Sequence, residues 1–74
     1  MHLTLTVNGH SYPVWLTYES PGNGWVAKTD PAAGGRVTKL RTALYECIDD
    51  ALDSLAAYVG EWQVMNGIKP TGEK

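Results

Sequence analysis

The stretch LTLTVNGHSYPVWLTY, residues 3–18, alternates apolar and polar side chains on either side of Asn8-Gly9. Asn-Gly between two alternating segments signals a hairpin closed by a two-residue type I′ turn, in which both central residues take positive φ. Such a turn sets the register: Val7 opposite His10, Leu5 opposite Tyr12, Leu3 opposite Val14. Leu3, Leu5 and Val7 then share a face with Tyr12, Val14, Leu16 and Tyr18, and the other face receives His2, Thr4, Thr6, Ser11, Trp15 and Thr17. Trp15 is thereby placed on the outer, polar face.

A second turn signal, Ser20-Pro21-Gly22-Asn23, returns the chain into a third strand over residues 24–29. Its register pairs Tyr18 with Trp25, Leu16 with Ala27 and Trp15 with Lys28. Pro13 tests this layout. It falls opposite Thr4 in a non-hydrogen-bonded pair, so its missing N–H faces away from the first strand, and the third strand must end by about Thr29 before it needs that donor.

Residues 29–38 read as irregular, with a turn at Asp30-Pro31, a flexible Ala32-Ala33-Gly34-Gly35 connector and a candidate short edge strand at Arg36-Val37-Thr38. Gly34-Gly35-Arg36 lacks the spacing and the lysine of a phosphate-binding loop. Beyond this the period changes to that of a helix. Leu44, Ile48, Ala51, Leu52, Leu55, Val59, Trp62 and Met65 form one apolar stripe, flanked by Leu40 and Cys47 and ending at an Asn66-Gly67 cap. The expected fold is α+β: a three-stranded antiparallel β-meander with one long C-terminal α-helix packed on one face (βββα). Residues 1–67 form the single domain, and residues 68–74 are expected to be a flexible tail.

Lengths then conflict. A helix of roughly 25 residues runs about 38 Å, whereas strands of six to eight residues reach about 20–26 Å. Its last turns, with Tyr58, Val59, Trp62 and Met65, are therefore expected to overhang the sheet and form a homodimer interface, unless Gly60 bends the helix back.

With 74 residues, 43% apolar and 19% charged, the chain has the balance of one globular domain and no apolar run long enough to cross a bilayer. It shows no secretory signal pattern, and Cys47 as sole cysteine excludes an intramolecular disulfide, so a cytoplasmic location is expected. The net charge of −2 hides a segregation. Lys28, Arg36, Lys39 and Arg41 precede a stretch in which Glu46, Asp49, Asp50, Asp53 and Glu61 occur without Lys or Arg. That polarity disfavours uniform nucleic-acid binding.

Two surfaces stand out. Trp15, ringed by His2, Thr4, Thr17 and Lys28, has the character of a binding hot spot, against the plainer reading of a lysine laid over an indole. Glu46, Asp49, Asp50 and Asp53 are spaced to lie on the solvent side of the helix and suit a basic protein partner. Cys47 reads as inert core. His2 and His10 fall in one hairpin on opposite faces, so no metal site is expected, and neither a cofactor nor a catalytic constellation is indicated.

Tyr12-Pro13-Val14, then Asn23-Gly24-Trp25-Val26-Ala27 after a tight turn, then Thr42-Ala43-Leu44 followed by Asp50-Ala51-Leu52, together resemble HicB-type antitoxins, which have a partial RNase H-like fold. The resemblance spans residues 12–55. It departs at Asp30-Pro31-Ala32-Ala33-Gly34-Gly35-Arg36, where the family carries an acidic-proline-glycine segment, and at Thr42-Ala43, where it opens the helix with Glu-Ala; no DNA-binding segment follows. Small phage-encoded inhibitors of host defence are similar in size and acidity. Both resemblances imply a non-enzymatic protein that inhibits a toxin or a nucleic-acid-binding defence complex by surface occlusion. The alternatives are a nucleic-acid-associated module using Trp15, Lys28, Arg36, Lys39 and Arg41, or an accessory subunit docking through Trp62.

Overall fold

The structure, a computed structural model, describes residues 1–20, 22–31 and 37–70. Three strands, β1 (His2–Val7), β2 (His10–Glu19) and β3 (Gly24–Thr29), form an antiparallel sheet in the order β1-β2-β3, followed by one helix, α1 (Ile48–Met65). Asn8 and Gly9 take φ of 55° and 83°, the left-handed values that a type I′ turn demands. The expected register follows: Val7 pairs with His10, Leu5 with Tyr12 and Leu3 with Val14. β3 adds Tyr18 opposite Trp25, Leu16 opposite Ala27 and Trp15 opposite Lys28. Its last residue is Thr29, beyond which the Asp30 N–H donates to the Pro13 carbonyl at 3.0 Å. Pro13 thus sits in a central strand without leaving a gap in its ladder.

The helix lays Ala51, Leu55, Val59 and Gln63, one residue per turn, on the inner face of the sheet. Tyr12, Val14, Leu16 and Ala27 meet them from below, and Val37 closes one side. Fully burying an aliphatic side chain of this kind contributes about 1.5–3 kcal/mol, so the core is small but sufficient for a domain of this size. Gln63 is the polar member of the buried row. Its Nε2 donates to the Val7 carbonyl at 3.0 Å and to the Tyr12 hydroxyl at 2.8 Å, while its Oε1 accepts from Asn8 Nδ2 at 2.9 Å. Three residues on, the helix ends at Asn66 and Gly67. Gly67 N–H bonds the Val64 carbonyl and Ile68 N–H the Gln63 carbonyl, the paired bonds of a Schellman cap. Of the expected tail, Lys69 accepts from His10 Nε2 on its carbonyl at 2.7 Å, and residues 71–74 lie outside the described set.

The helix is shorter at its start than the stripe suggests. Residues 40–45 run alongside β3, with Arg41 opposite Lys28 and Tyr45 opposite Trp25. The Thr29 N–H reaches the Leu40 carbonyl, the Thr42 N–H the Ala27 carbonyl, and Trp25 and Tyr45 exchange both their bonds. Between the two bridges Val26 and Ala27 stand against Thr42, Ala43 and Leu44, so this segment carries a bulge. Ala27 N–H would lose its partner there, and the Thr42 hydroxyl accepts it at 3.1 Å. The extra residue also turns Tyr45 to the inner face, where its hydroxyl donates to Ser54 on the helix. Leu44 lies across Gly24, where an added Cβ would come within 3.1 Å of the Leu44 Cβ.

Covering the edge of β3 therefore outweighs helix propensity over residues 40–47. Three expectations change with it. Leu44 and Glu46 leave the helix. Cys47 is exposed as the N-cap rather than buried, and makes no side-chain capping bond. The helix of 18 residues is about 27 Å long against about 33 Å for the ten-residue β2, so the length mismatch behind the expected overhang is gone. The edge position expected of residues 36–38 belongs to residues 40–45; Arg36 is outside the described residues.

Thr42→Val keeps the shape and removes the acceptor for the buried Ala27 N–H. Urea unfolding is expected to show a loss of about 1–3 kcal/mol, the cost of an unsatisfied buried donor. A loss within a few tenths of a kcal/mol is what a surface position on a helix would give.

Candidate functional site

Trp15 does lie on the outer face, 40% exposed. Its position is set by a neighbour that the strand pattern left unassigned. Asp30, anchored through its backbone to Pro13, accepts the indole N–H at 2.7 Å on Oδ2. His2 stands edge-on to the indole at a centroid distance of 4.7 Å, with Nε2 at 3.4 Å from the same carboxylate oxygen. The alternation of β3, continued by one pair past Lys28, was the signal that could have placed Asp30 beside Trp15. The surface is thus an indole held rigid by an acid. A carboxylate at its edge opposes phosphate, and the cations once grouped with it are dispersed. Arg41 Nη2 contacts both carboxylate oxygens of Glu19, at 3.0 and 3.1 Å. Because Arg41 sits beside β3 and Glu19 on β2, that pair spans β3 on the outer side, where Val26 is buried. Lys39 is exposed, and Lys28 is half-buried beside Trp15.

The acidic surface lies on the other side of the sheet. Asp49 and Asp50 occupy the first turn of α1, where they favour the positive end of the helix dipole, and Asp53 and Glu61 follow on the solvent side. All are exposed, the helix contains no Lys or Arg, and no ion pair reaches them from the described residues. Glu46 joins this surface from the bend before the helix rather than from its face. Trp15 and Lys28 point away from these acids through the thickness of the sheet. The six residues expected to bind a partner therefore form two separate surfaces.

The residues expected at a dimer interface divide as well. Val59 is wholly buried in the core and has nothing to offer a partner. Trp62 is half-buried and packs edge-on against Tyr12 at 6.0 Å. Tyr58 and Met65 are exposed, Met65 by 84%, as is Val64 by 80%, a residue outside the apolar stripe. Tyr58, Trp62 and Met65 line a shallow groove of about 300 Å³ with Leu40 and Glu61. The groove exists because residues 40–45 leave the helix and bring Leu40 alongside its last turns.

Among the described residues no helix is long and apolar enough to cross a membrane, and no group of three or more His, Cys, Asp or Glu is placed to hold a metal ion. Removing the acceptor in Asp30→Ala is expected to speed solvent exchange of the Trp15 indole proton about tenfold, the factor set by a charge-assisted bond of about 1.5 kcal/mol, with little change in far-UV circular dichroism. An unchanged exchange rate would show that the carboxylate does not hold the ring. No protein-family model, curated protein or solved structure matches this chain.

Proposed function

We propose that this chain is a non-enzymatic binding protein that inhibits a basic protein partner by covering it, with the solvent side of α1 as the covering surface. One observation carries this reading: Asp49, Asp50, Asp53 and Glu61 are exposed on a helix that has no Lys or Arg, and that ends in exposed Val64 and Met65. The helix dipole accounts for the two acids of the first turn but not for Asp53 and Glu61. A row of carboxylates leading to an apolar end suits a partner whose surface combines phosphate-binding cations with an apolar patch. Charge of this kind speeds encounter and selects the partner, and the apolar end supplies the anchor. A toxin or a nucleic-acid-binding defence complex has such a surface, which is how the likeness to HicB-type antitoxins and to phage anti-defence inhibitors enters the reading. Action in the cytoplasm belongs to the same proposal.

The nucleic-acid alternative loses support from geometry: Asp30 sits at Trp15, and Arg41 is engaged by Glu19.

The test is capture from the native host with the wild-type chain and with a variant carrying Glu46→Gln, Asp49→Asn, Asp50→Asn and Asp53→Asn, alongside titration of a single-stranded oligonucleotide. The wild type is expected to retain a basic protein that the neutralised variant loses by at least tenfold, with circular dichroism unchanged and no oligonucleotide affinity. Oligonucleotide binding that falls steeply with salt would contradict the proposal.

A further inference from the structure

Among the described residues β1 is the free edge of the sheet, since β2 covers its other side and residues 40–45 cover β3. Native edges are usually blunted by lysine, proline, a bulge or a covering loop. His2–Val7 has neither lysine nor proline, pairs with β2 in unbroken register, and carries no ionisable side chain except His2 at one end. Among the described residues outside β2, only Gln63 bonds its backbone, through Nε2 on the Val7 carbonyl at the turn end, and none bonds that of His2, Thr4 or Thr6. On the helix side of the edge, Leu3, Leu5 and Val7 pack against the core yet remain half-exposed.

The bonding pattern says which backbone groups are free. Met1 and Leu16 exchange both their bonds, at 2.8 and 3.0 Å. Bonded pairs alternate along an antiparallel ladder, so Leu3, Leu5 and Val7 spend their N–H and C=O on β2, and those of His2, Thr4 and Thr6 point outward. A strand that pairs here must present its own free groups with the same spacing.

We propose that β1 is the seam of a two-fold symmetric homodimer, pairing antiparallel with β1 of a second copy about Thr4. In that register Thr4 faces Thr4 of the second copy, His2 faces Thr6, and Leu3 faces Leu5. Every outward N–H and C=O of His2, Thr4 and Thr6 finds a partner. Hydroxyl stands beside hydroxyl on the outer face, and leucine beside leucine on the helix side, both favourable cross-strand pairs. A slip by one residue would oppose bonded groups to free ones and leucine to threonine, so slips of that kind are excluded, and the register about Thr4 pairs the most outward groups. Charge does not oppose it. The acidic first turns of α1 lie toward Trp25 and Tyr45, over the far strand, as the Tyr45–Ser54 bond requires. The seam is one short strand per copy, a small interface by the standard of stable complexes, so weak, concentration-dependent association is expected.

Thr4 tests the proposal because it is exposed and bonds nothing among the described residues, so a change there leaves the fold alone. Sedimentation of the full chain over a concentration series is expected to show a monomer–dimer equilibrium. Thr4→Lys and Thr4→Glu each set like charges face to face across the axis and are expected to weaken the dimer by tenfold or more, with circular dichroism unchanged. Mixing the two variants in equal amounts is expected to restore it as a heterodimer. A chain that stays monomeric up to about 1 mM overturns the proposal. So does a dimer indifferent to both variants, which would move the interface to the Tyr58–Met65 side, and so does a mixture that stays dissociated.

Discussion

Two consecutive left-handed residues, Asn8 and Gly9, decide how this chain is arranged, and the amide of Gln63 holds them to the helix. A slip of one residue in the hairpin would exchange its two faces, bringing Trp15 beneath the helix and Leu5 into water. The turn resists the slip locally through its backbone geometry. Gln63 resists it at long range. Its side chain is buried, and each polar atom is engaged with a group that only this register presents: the Val7 carbonyl, the Tyr12 hydroxyl and the Asn8 amide. Displacing the turn would strand those groups away from water at about 1–3 kcal/mol each, a large share of what a domain this small can hold in reserve.

How much of this could be read from the residues depends on the range of the interaction that decides each element. The strand register, the outward Trp15, the end of β3 at Thr29 and the cap at Asn66-Gly67 are set by neighbours in sequence, and all are legible there. The beginning of the helix is not. Leu40, Leu44 and Ile48 recur at helical spacing, and Thr42, Ala43 and Leu44 tolerate a helix; what draws them out is the open edge of β3, whose Trp25, Ala27 and Thr29 offer backbone partners far away in the chain. Glu46 and Cys47 were misplaced for the same reason. Gln63 follows Val59 by one turn in a buried row, so its spacing marked it as inward, while its polarity concealed the role. Asp30 reads as part of a turn and Val37 as part of a short edge strand, and neither signal names the partner, Trp15 or the core, that each one meets.

The two candidate surfaces owe their separation to the same sheet. On one side two of the cations are engaged: Arg41 is spent on Glu19, and Lys28 lies beside an indole already bound to Asp30, while Lys39 stays exposed. On the other, the carboxylates of α1 face solvent without cations among the described residues. The charge segregation visible along the chain therefore becomes a polarity across the molecule, with a row of free carboxylates on the helix. A partner reading that charge meets one face and need not touch Trp15. The free edge of β1 lies between the two surfaces, so joining copies there leaves both open.

The central claim is that the helix end and the hairpin turn are one unit, joined by a buried amide. Solution NMR of the Gln63 side chain tests it most directly. The account predicts two well-separated Nε2 proton resonances that exchange slowly with water and show cross-relaxation to the Tyr12 ring and to Val7. Resonances that coincide with those of a solvated glutamine, exchange freely and lack contacts to the hairpin would contradict it.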